Sequence, residues 1–589
     1  MGFTTASYSL SDLFARAERG ELQLPDFQRD FVWDVDRIRT LVTSVLRGYP
    51  VGAFLALDTR NEPLRFQARP LHGAPDTGRS PGMLLLDGQQ RLTSLYHAFG
   101  GDGLVPTLDF RGRPIERRFF VDVVAAASST PMPVEAVFAV DRDGAVRSHF
   151  GPQLDGGIRT RNDMIVNGVV PLPYVLSEAG SDLVFDIVAS SSQPTLIAAV
   201  KEFHTRVMRD ISAYTIPVTR IPRETPLTGV GQIFAHANSA GVQLDVFELL
   251  TSVFAAQRPG FELATHYRQN VEDRLRRHPS LGGIGRVEFL RAMSLLVTSQ
   301  SGPAMGHRGD ILNLSVETYL AHVDELTGAF ERAAEFLSER RIITVDQVPY
   351  SSQIVPLAAI LVRVGEPEAG QPTDRLNRWF WSGVFGELYG AHAPTIRAGN
   401  DVDEVTPWVM GVTDSTPRTV EDARFAQSRL LTAGPESGVY RGIFSLIMGR
   451  GARDWRTCLP FDQDTLPKLD TTFGTVFPPG AFAGLGDNAE AAYGSVLNRT
   501  PMGIRTRVLI GDANPKRYIP RVQSKSIMED DEFDEMLAGH LLDPALLLAG
   551  DGVGFLKSRL DALTGVIEYS MGRAADRDAG EGWLAAEEA

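Results

Sequence analysis

Between Met83 and Phe99 a wholly apolar run, Met83-Leu84-Leu85-Leu86, meets Asp87-Gly88 and continues at once as a helical pattern. A run this short and this apolar reads as a strand buried on both faces, and such strands belong to sheets covered by helices. The Asp87-Gly88 step leaves room only for a tight turn before the helix. A strand that enters a helix this abruptly points unpaired backbone N–H groups, and the positive end of the helix dipole, at one spot. Gln89 and Gln90 add side-chain amides there, and Arg91 adds a fork that can hold two phosphate oxygens. Asp87, at the strand end, is suited to a divalent cation or a water. An isolated Asp-Gly-x-x-Arg is also compatible with a plain strand-turn-helix whose arginine sits in a structural salt bridge.

The surrounding pattern extends the α/β reading from Tyr8 to about Ala255. Val35, Ile38, Leu41, Val42, Val45 and Leu46 share one helical face, and Gly48-Tyr49-Pro50 ends that helix. Val51–Leu57, Arg117–Val124 and Ala213–Val218 read as strands, Thr59–Gly82 as an excursion loop, and Leu172–Arg209 as largely helical. Gly231–Ala255 reads as helix, turn, helix, broken at Asn238-Ser239-Ala240-Gly241. From Phe261 to about Tyr389 the pattern is mostly helical, with helical spacing in Arg286–Leu296, Val316–Leu337 and Ile354–Val364. Thr395–Pro417 is rich in Gly, Pro, Asp and Thr and reads as a boundary. Beyond it come a loop-rich stretch, Leu459–Leu497, and an amphipathic helix, Phe555–Met571. The expected organisation is α+β and multidomain: an α/β domain over 1–255, a helical middle region over 256–417 and a mostly helical domain over 418–589. A chain of 589 residues is long enough for that division.

Composition narrows the setting. One cysteine, Cys458, excludes an internal disulfide and suits a reducing compartment. No apolar run reaches the length of a membrane span, and Met1–Leu10 lacks the layout of a signal peptide, so a cytoplasmic location and no membrane partner are expected. The formal charge of −15 argues against a surface that coats nucleic acid indiscriminately. It leaves room for a local basic groove.

Other segments accompany the Asp87–Arg91 corner. Gln28-Arg29-Asp30-Phe31-Val32-Trp33 places a second Gln-Arg pair before a helix. Ser44-x-x-x-Gly48-x-Pro50-x-Gly52 follows, and Asn238-x-x-Gly241 with Glu248-Leu249-Leu250 closes the series. In this order, with Leu86-Asp87-Gly88-Gln89-Gln90-Arg91-Leu92 at the centre, they resemble the N-terminal domain of GmrSD-type modification-dependent restriction enzymes, a domain shared by the restriction factors BrxU and SspE. The resemblance covers roughly residues 8–255 and implies a ParB/sulfiredoxin-like fold. It also implies binding and hydrolysis of a nucleoside triphosphate, GTP or ATP, with Mg2+ as the accompanying ion. Asp87, Gln90 and Arg91 would then be the catalytic positions. Gln28, Arg29, Gly88, Gln89 and Asn238 would line the nucleotide pocket or the adjoining nucleic-acid surface.

The last third carries a second resemblance. Arg453-Asp454-Trp455-Arg456-Thr457, Val476-Phe477-Pro478, Val496-Leu497-Asn498-Arg499-Thr500-Pro501, Ile510-Gly511, Pro515-x-x-Tyr518-Ile519 and His540-Leu541-Leu542-Asp543-Pro544 occur in sequence. They are similar to the C-terminal HNH-type nuclease domain of the same family, built on a ββα core. Where that family has a His-His or Asp-His pair, this chain has Gly474 and Thr475. Asn498 keeps the central asparagine, and Arg507 stands at a metal-side position. Such a nuclease needs a divalent ion and an imidazole base. Glycine supplies neither, threonine is a poor base, and arginine repels a cation. The resemblance therefore implies a degenerate nuclease without a metal site.

Three functions follow as expectations. The first is an anti-phage restriction-type protein that couples nucleotide to modified or foreign DNA, with HNH cleavage lost. The second is a non-enzymatic nucleotide-sensing adaptor that binds DNA. The third is an active nuclease with a non-standard site, including one built on Asp87 and Arg29. Phe27, Phe31 and Trp33 are candidates for stacking a DNA base, or else core residues. A homodimer or partner proteins of a defence system are the expected protein partners.

Overall fold

In the computed structural model, residues 3–26, 31, 33–60, 66–109, 111–146, 157–225, 245–365, 370–390 and 394–579 are described. They form two compact units, Met1–Phe261 and Glu262–Ala589.

The first unit is built on a six-stranded mixed sheet. Its strands are β1 (Thr4–Ser9), β2 (Leu22–Pro25), β3 (Phe54–Asp58), β4 (Ala68–Arg69), β5 (Met83–Asp87) and, late in the chain, Thr215–Ile221. Their spatial order is β1, Thr215–Ile221, β3, β5, β2, β4. The apolar run of β5 lies inside this sheet, antiparallel to β3 and parallel to β2. Met83, Leu84, Leu85 and Leu86 are all buried, which accounts for a strand with no polar face. Three helices supply much of the packing. They are α1 (Leu10–Glu18), α2 (Val35–Leu46) and α3 (Gln89–Phe99), and Leu13, Ile38, Val42, Leu92 and Leu95 join one core with Leu85. Asp34 caps α2 by accepting from the Arg37 amide at 2.9 Å. A smaller antiparallel sheet, Leu104–Leu108, Pro114–Asp122, Val137–Val140 and Val169–Pro171, completes the unit.

The expected strands near 51–57, 117–124 and 213–218 are present with shifted ends, and Leu172–Arg209 is largely helical. Thr59–Gly82 holds only the two-residue β4 among its described residues. It is nonetheless tied down: Thr59 Oγ1 donates to the Pro81 carbonyl at 2.5 Å, and Gln23 Nε2 to the Arg79 carbonyl at 2.9 Å.

The second unit is mainly helical. Arg286–Thr298, Val316–Glu339 and Ser351–Val364 realise the expected helices of the middle region, and Gln371–Phe385 adds another. Most of Thr395–Pro417, read from its composition as a boundary, lies in a helix, Pro394–Val409. Ala398, Val402, Val405 and Val409 recur at helical spacing and are buried, and this pattern outweighs the Gly, Asp and Pro among them. The boundary expected near residue 417 falls inside this unit. Its only strands among the described residues are β6 (Thr472–Thr475) and β7 (Arg499–Met502), an antiparallel ribbon that runs into the helix Ile504–Ile510. Among the described residues no helix is long and apolar enough to cross a membrane.

Candidate functional site

The corner after β5 is shaped by space as much as by charge. Gly88 caps α3 with φ 100° and ψ 5°, in the left-handed region. A Cβ there would stand 2.3 Å from a ring carbon of Phe54, so backbone and packing both require glycine. The β3–β5 register shifts between Leu55 and Ala56, which pair with Asp87 and Leu85. An irregularity of this kind re-aims the end of a strand, here the end that carries Asp87. Gln89, Gln90 and Arg91 form the first turn of α3, and no side chain caps it.

Arg91 takes the salt-bridged arrangement that the Asp-Gly-x-x-Arg pattern also allowed. Its Nη1 donates to the Val51 carbonyl at 2.6 Å, and its Nη2 to Asp87 Oδ2 at 3.0 Å and the Ala53 carbonyl at 3.4 Å. The guanidinium carbon lies 5.2 Å from the centre of the Phe54 ring. The fork thus closes on its own chain, because a strand-end carboxylate and two loop carbonyls are its nearest acceptors. Gly52, with φ 86°, lies against that fork: a Cβ there would sit 2.4 Å from Arg91 Nη1. Gly52 and Arg91 are therefore one device written in two separate motifs. Asp87 and Arg91 keep 31% and 21% of their side-chain surface in water, so their pair contributes at most about 1 kcal/mol and an anion can compete for it. Beside the clamped loop opens a cleft of about 450 Å³, lined by Pro50, Gly52 and Ala53 and by Tyr214, Thr215 and Pro217.

Gln28, Arg29 and Asn238 lie outside the described residues, as does Phe27. Phe31 and Trp33 pack against the core of the first unit. Phe31 also stacks on His72 with ring centres 6.2 Å apart, and His72 Nδ1 lies 3.0 Å from His97 Nε2. Burial, and then the neighbouring His72, push the His97 imidazole down to about 4.

The second set of candidate residues falls on the ribbon of the second unit. Gly474 and Thr475 lie on β6, opposite Thr500 and Arg499 of β7. A Cβ at Gly474 would be 2.6 Å from Met502 Sδ, so this glycine fills a packed position. Asn498 is fully buried. Its Oδ1 accepts from the Phe477 amide at 2.8 Å, and its Nδ2 donates to the carbonyls of Phe477 at 3.0 Å and Tyr493 at 3.2 Å. It ties the segment after β6 to the segment before β7. Arg507, exposed on the following helix, reaches Thr472 Oγ1 at 3.5 Å. Among the described residues no three His, Cys, Asp or Glu side chains gather where they could hold one metal ion.

Buried His540 acts as a brace. Its Nε2 donates to the Arg453 carbonyl at 2.7 Å, which leaves Nδ1 to accept from Thr500 Oγ1 at 2.8 Å. Burial pushes this imidazole down to about 3. The residue with the widest reach here is one that sequence reasoning quoted without assigning a role. Buried Asp454 accepts from the Gly503 amide and Thr506 Oγ1, both at 2.8 Å, and from Thr457 Oγ1 at 2.9 Å. It thereby fixes the start of the helix Ile504–Ile510.

Known proteins bear on the first unit most directly. Residues 10–255 match the family model of the GmrSD restriction endonuclease N-terminal domain. The matched stretch begins at α1, contains the Gly52–Arg91 clamp and ends inside the helix Val246–Gln257. The chain is also 24% identical over 561 residues to an uncharacterized protein of Methanocaldococcus jannaschii, covering 91% of each protein. That likeness takes in both units.

Proposed function

We propose that this chain is a restriction-type defence protein directed at modified or foreign DNA, with a nucleoside triphosphate bound at the α3 corner. The observation that carries the reading is the match of residues 10–255 to the GmrSD N-terminal domain, with Asp87–Arg91 inside it. In this reading the first unit is ParB/sulfiredoxin-like and the ribbon and helix at 472–510 are a degenerate HNH core.

The residues at the corner fit a triphosphate by the chemistry of their donors. The amides opening α3, the Gln90 side chain and the Arg91 fork are the groups that would hold the phosphates. A phosphate that takes Nη2 from Asp87 leaves that carboxylate open to Mg2+. Bound nucleotide would supply the free energy that couples the corner to DNA; the chain's own part is to exchange one acceptor of Arg91 for another. In the second unit, Gly474 and Thr475 provide no metal ligand, and Asn498 is committed to the backbone of Phe477.

The test is restriction in a host expressing the full chain, challenged with phages whose DNA carries modified bases and with phages whose DNA does not. Reduced plating of one class, lost with Gln90→Ala, is the expected result. Equal plating of every phage with and without the protein overturns the reading. A second reading, a nucleotide-sensing adaptor, is favoured by the inward Arg91, since an arginine tied to Asp87 suits a binding switch as well as it suits turnover. Phosphate release beyond one equivalent per chain excludes it.

A further inference from the structure

We propose that a cleft in the second unit, between the helix Ile504–Ile510 and the far end of the helix Pro515–Gln523, holds the phosphate backbone of duplex DNA. The cleft measures about 570 Å³ and is lined by Arg456, Arg505, Arg521 and Lys525, with Asp512 the one acid among its lining residues. This concentration of cations stands out on a chain whose formal charge is −15. From 504 to 525 the basic residues are Arg505, Arg507, Lys516, Arg517, Arg521 and Lys525, and Asp512 is the sole carboxylate. All six are exposed.

The fold holds these charges in place without neutralising them. Among the described residues, Arg456, Arg505 and Lys525 have neither an ion pair nor a side-chain hydrogen bond, although arginines elsewhere in the unit such as Arg274, Arg418 and Arg429 are paired. Arg456 is half-buried. It follows buried Trp455 and Asp454, and Asp454 anchors the amide of Gly503 and the hydroxyl of Thr506. Arg505 sits between those two anchor points, so the backbone positions of Arg456 and Arg505 are tied to each other through Asp454. Arg521 donates to the Leu509 carbonyl, which joins the two helices across the cleft. Cations gathered without acidic partners pay a repulsion that a polyanion removes, and release of condensed counterions then drives binding. Duplex DNA is the favoured polyanion because Arg517, exposed and one helical turn from Arg521, extends the basic face along its helix beyond the cleft, as a backbone-tracking surface does.

The site deepens the function proposed above and rests on its DNA-directed part. Its test uses the full chain carrying Arg456→Ala, Arg505→Ala and Lys525→Ala together, three side chains with no hydrogen bond to lose. Fluorescence anisotropy with a labelled duplex is read across a salt series, and ATP or GTP binding is read on the same protein. The variant is expected to bind DNA at least about tenfold more weakly, with a slope of log Kd against log salt shallower by about 2 to 3. Its nucleotide binding and thermal midpoint are expected to stay as in the wild type. Unchanged DNA affinity and slope overturn the cleft while leaving the DNA-directed function standing, because another surface then holds the duplex. Absence of DNA binding by the wild-type chain at low salt overturns both. Equal displacement of the duplex by poly-glutamate overturns the assignment to nucleic acid.

Discussion

Gly88 and Gly52 show how a corner can be specified by residues whose part is to leave room for their neighbours, Phe54 and the Arg91 fork. Gly88→Ala places a side chain in a left-handed backbone and against Phe54. The backbone term is about 1–2 kcal/mol and the overpacking about 1–3 kcal/mol, so a loss of about 2–5 kcal/mol is expected in chemical denaturation. Gly52→Ala should act differently. Its Cβ displaces the Arg91 fork, so this variant is expected to lose nucleotide affinity in step with Arg91→Ala, and wild-type affinity in Gly52→Ala would dissolve the link. The kind of residue at each position was legible in the sequence: glycine at a strand-to-helix turn, and an arginine in the first helical turn. The direction of the fork was not, because the Val51 and Ala53 carbonyls that decide it lie some forty positions away in sequence. Asn498 carries a related caution. With all three of its bonds made to backbone, Asn498→Ala is expected to cost about 2–4 kcal/mol of stability, so lost activity in that variant would not show a chemical role.

At the scale of elements, long periodic helices and the strands β3 and β5 were readable, and β1 and β2 were not. β1, Thr4-Thr5-Ala6-Ser7-Tyr8-Ser9, has no apolar run to mark it, and β2 is four residues long and ends at a proline. The helix Pro394–Val409 was hidden by its own polar core. Asp401 is buried within it, accepting from Thr419 Oγ1 at 2.6 Å and from the Tyr389 hydroxyl, and burial pushes its carboxyl up to about 6. His540 opposes it in sign. The folded His540 stays neutral to about 3 while an unfolded histidine protonates near 6.5, so this group lowers stability as pH falls through that window. Asp401 stays protonated in the folded state up to about 6 while an unfolded aspartate ionises near 3.8, so it lowers stability as pH rises from 3.8 to 6. Between about pH 4 and 6 the two slopes oppose each other. Asp401→Asn removes one of them. Its stability relative to wild type is expected to rise with pH across that window, by on the order of 1 kcal/mol per pH unit, and to level off above it. A difference independent of pH in denaturant titrations would show that Asp401 is already ionised in the fold.

For the molecule as a whole, the two units carry separate parts of the account. The first holds the corner that matches a restriction-enzyme domain, and the second holds the packed ribbon and a basic cleft. Most of the first was legible because its signature is local. The cleft was not, because Arg456 and the 504–525 segment are brought together through Asp454, and a net charge of −15 conceals a local excess of cations. With Gly474 packed on Met502 and Arg507 exposed nearby in sequence, the purified protein is expected to give no Mg2+- or Mn2+-dependent cleavage of modified or unmodified DNA. Metal-dependent cutting that persists through purification and vanishes when Thr475 or Arg507 is replaced would refute the degenerate core. The central claim is narrower still: a triphosphate takes the place of Asp87 on Arg91. Calorimetric titration of the full chain with ATP and with GTP, in Mg2+, tests it most directly. The wild type should bind one nucleotide per chain, and Gln90→Ala and Arg91→Ala, each folded by thermal melt, should bind at least about tenfold more weakly, the effect of losing one charge-assisted contact. No heat from the wild type with either nucleotide, or undiminished affinity in folded Arg91→Ala, would contradict it.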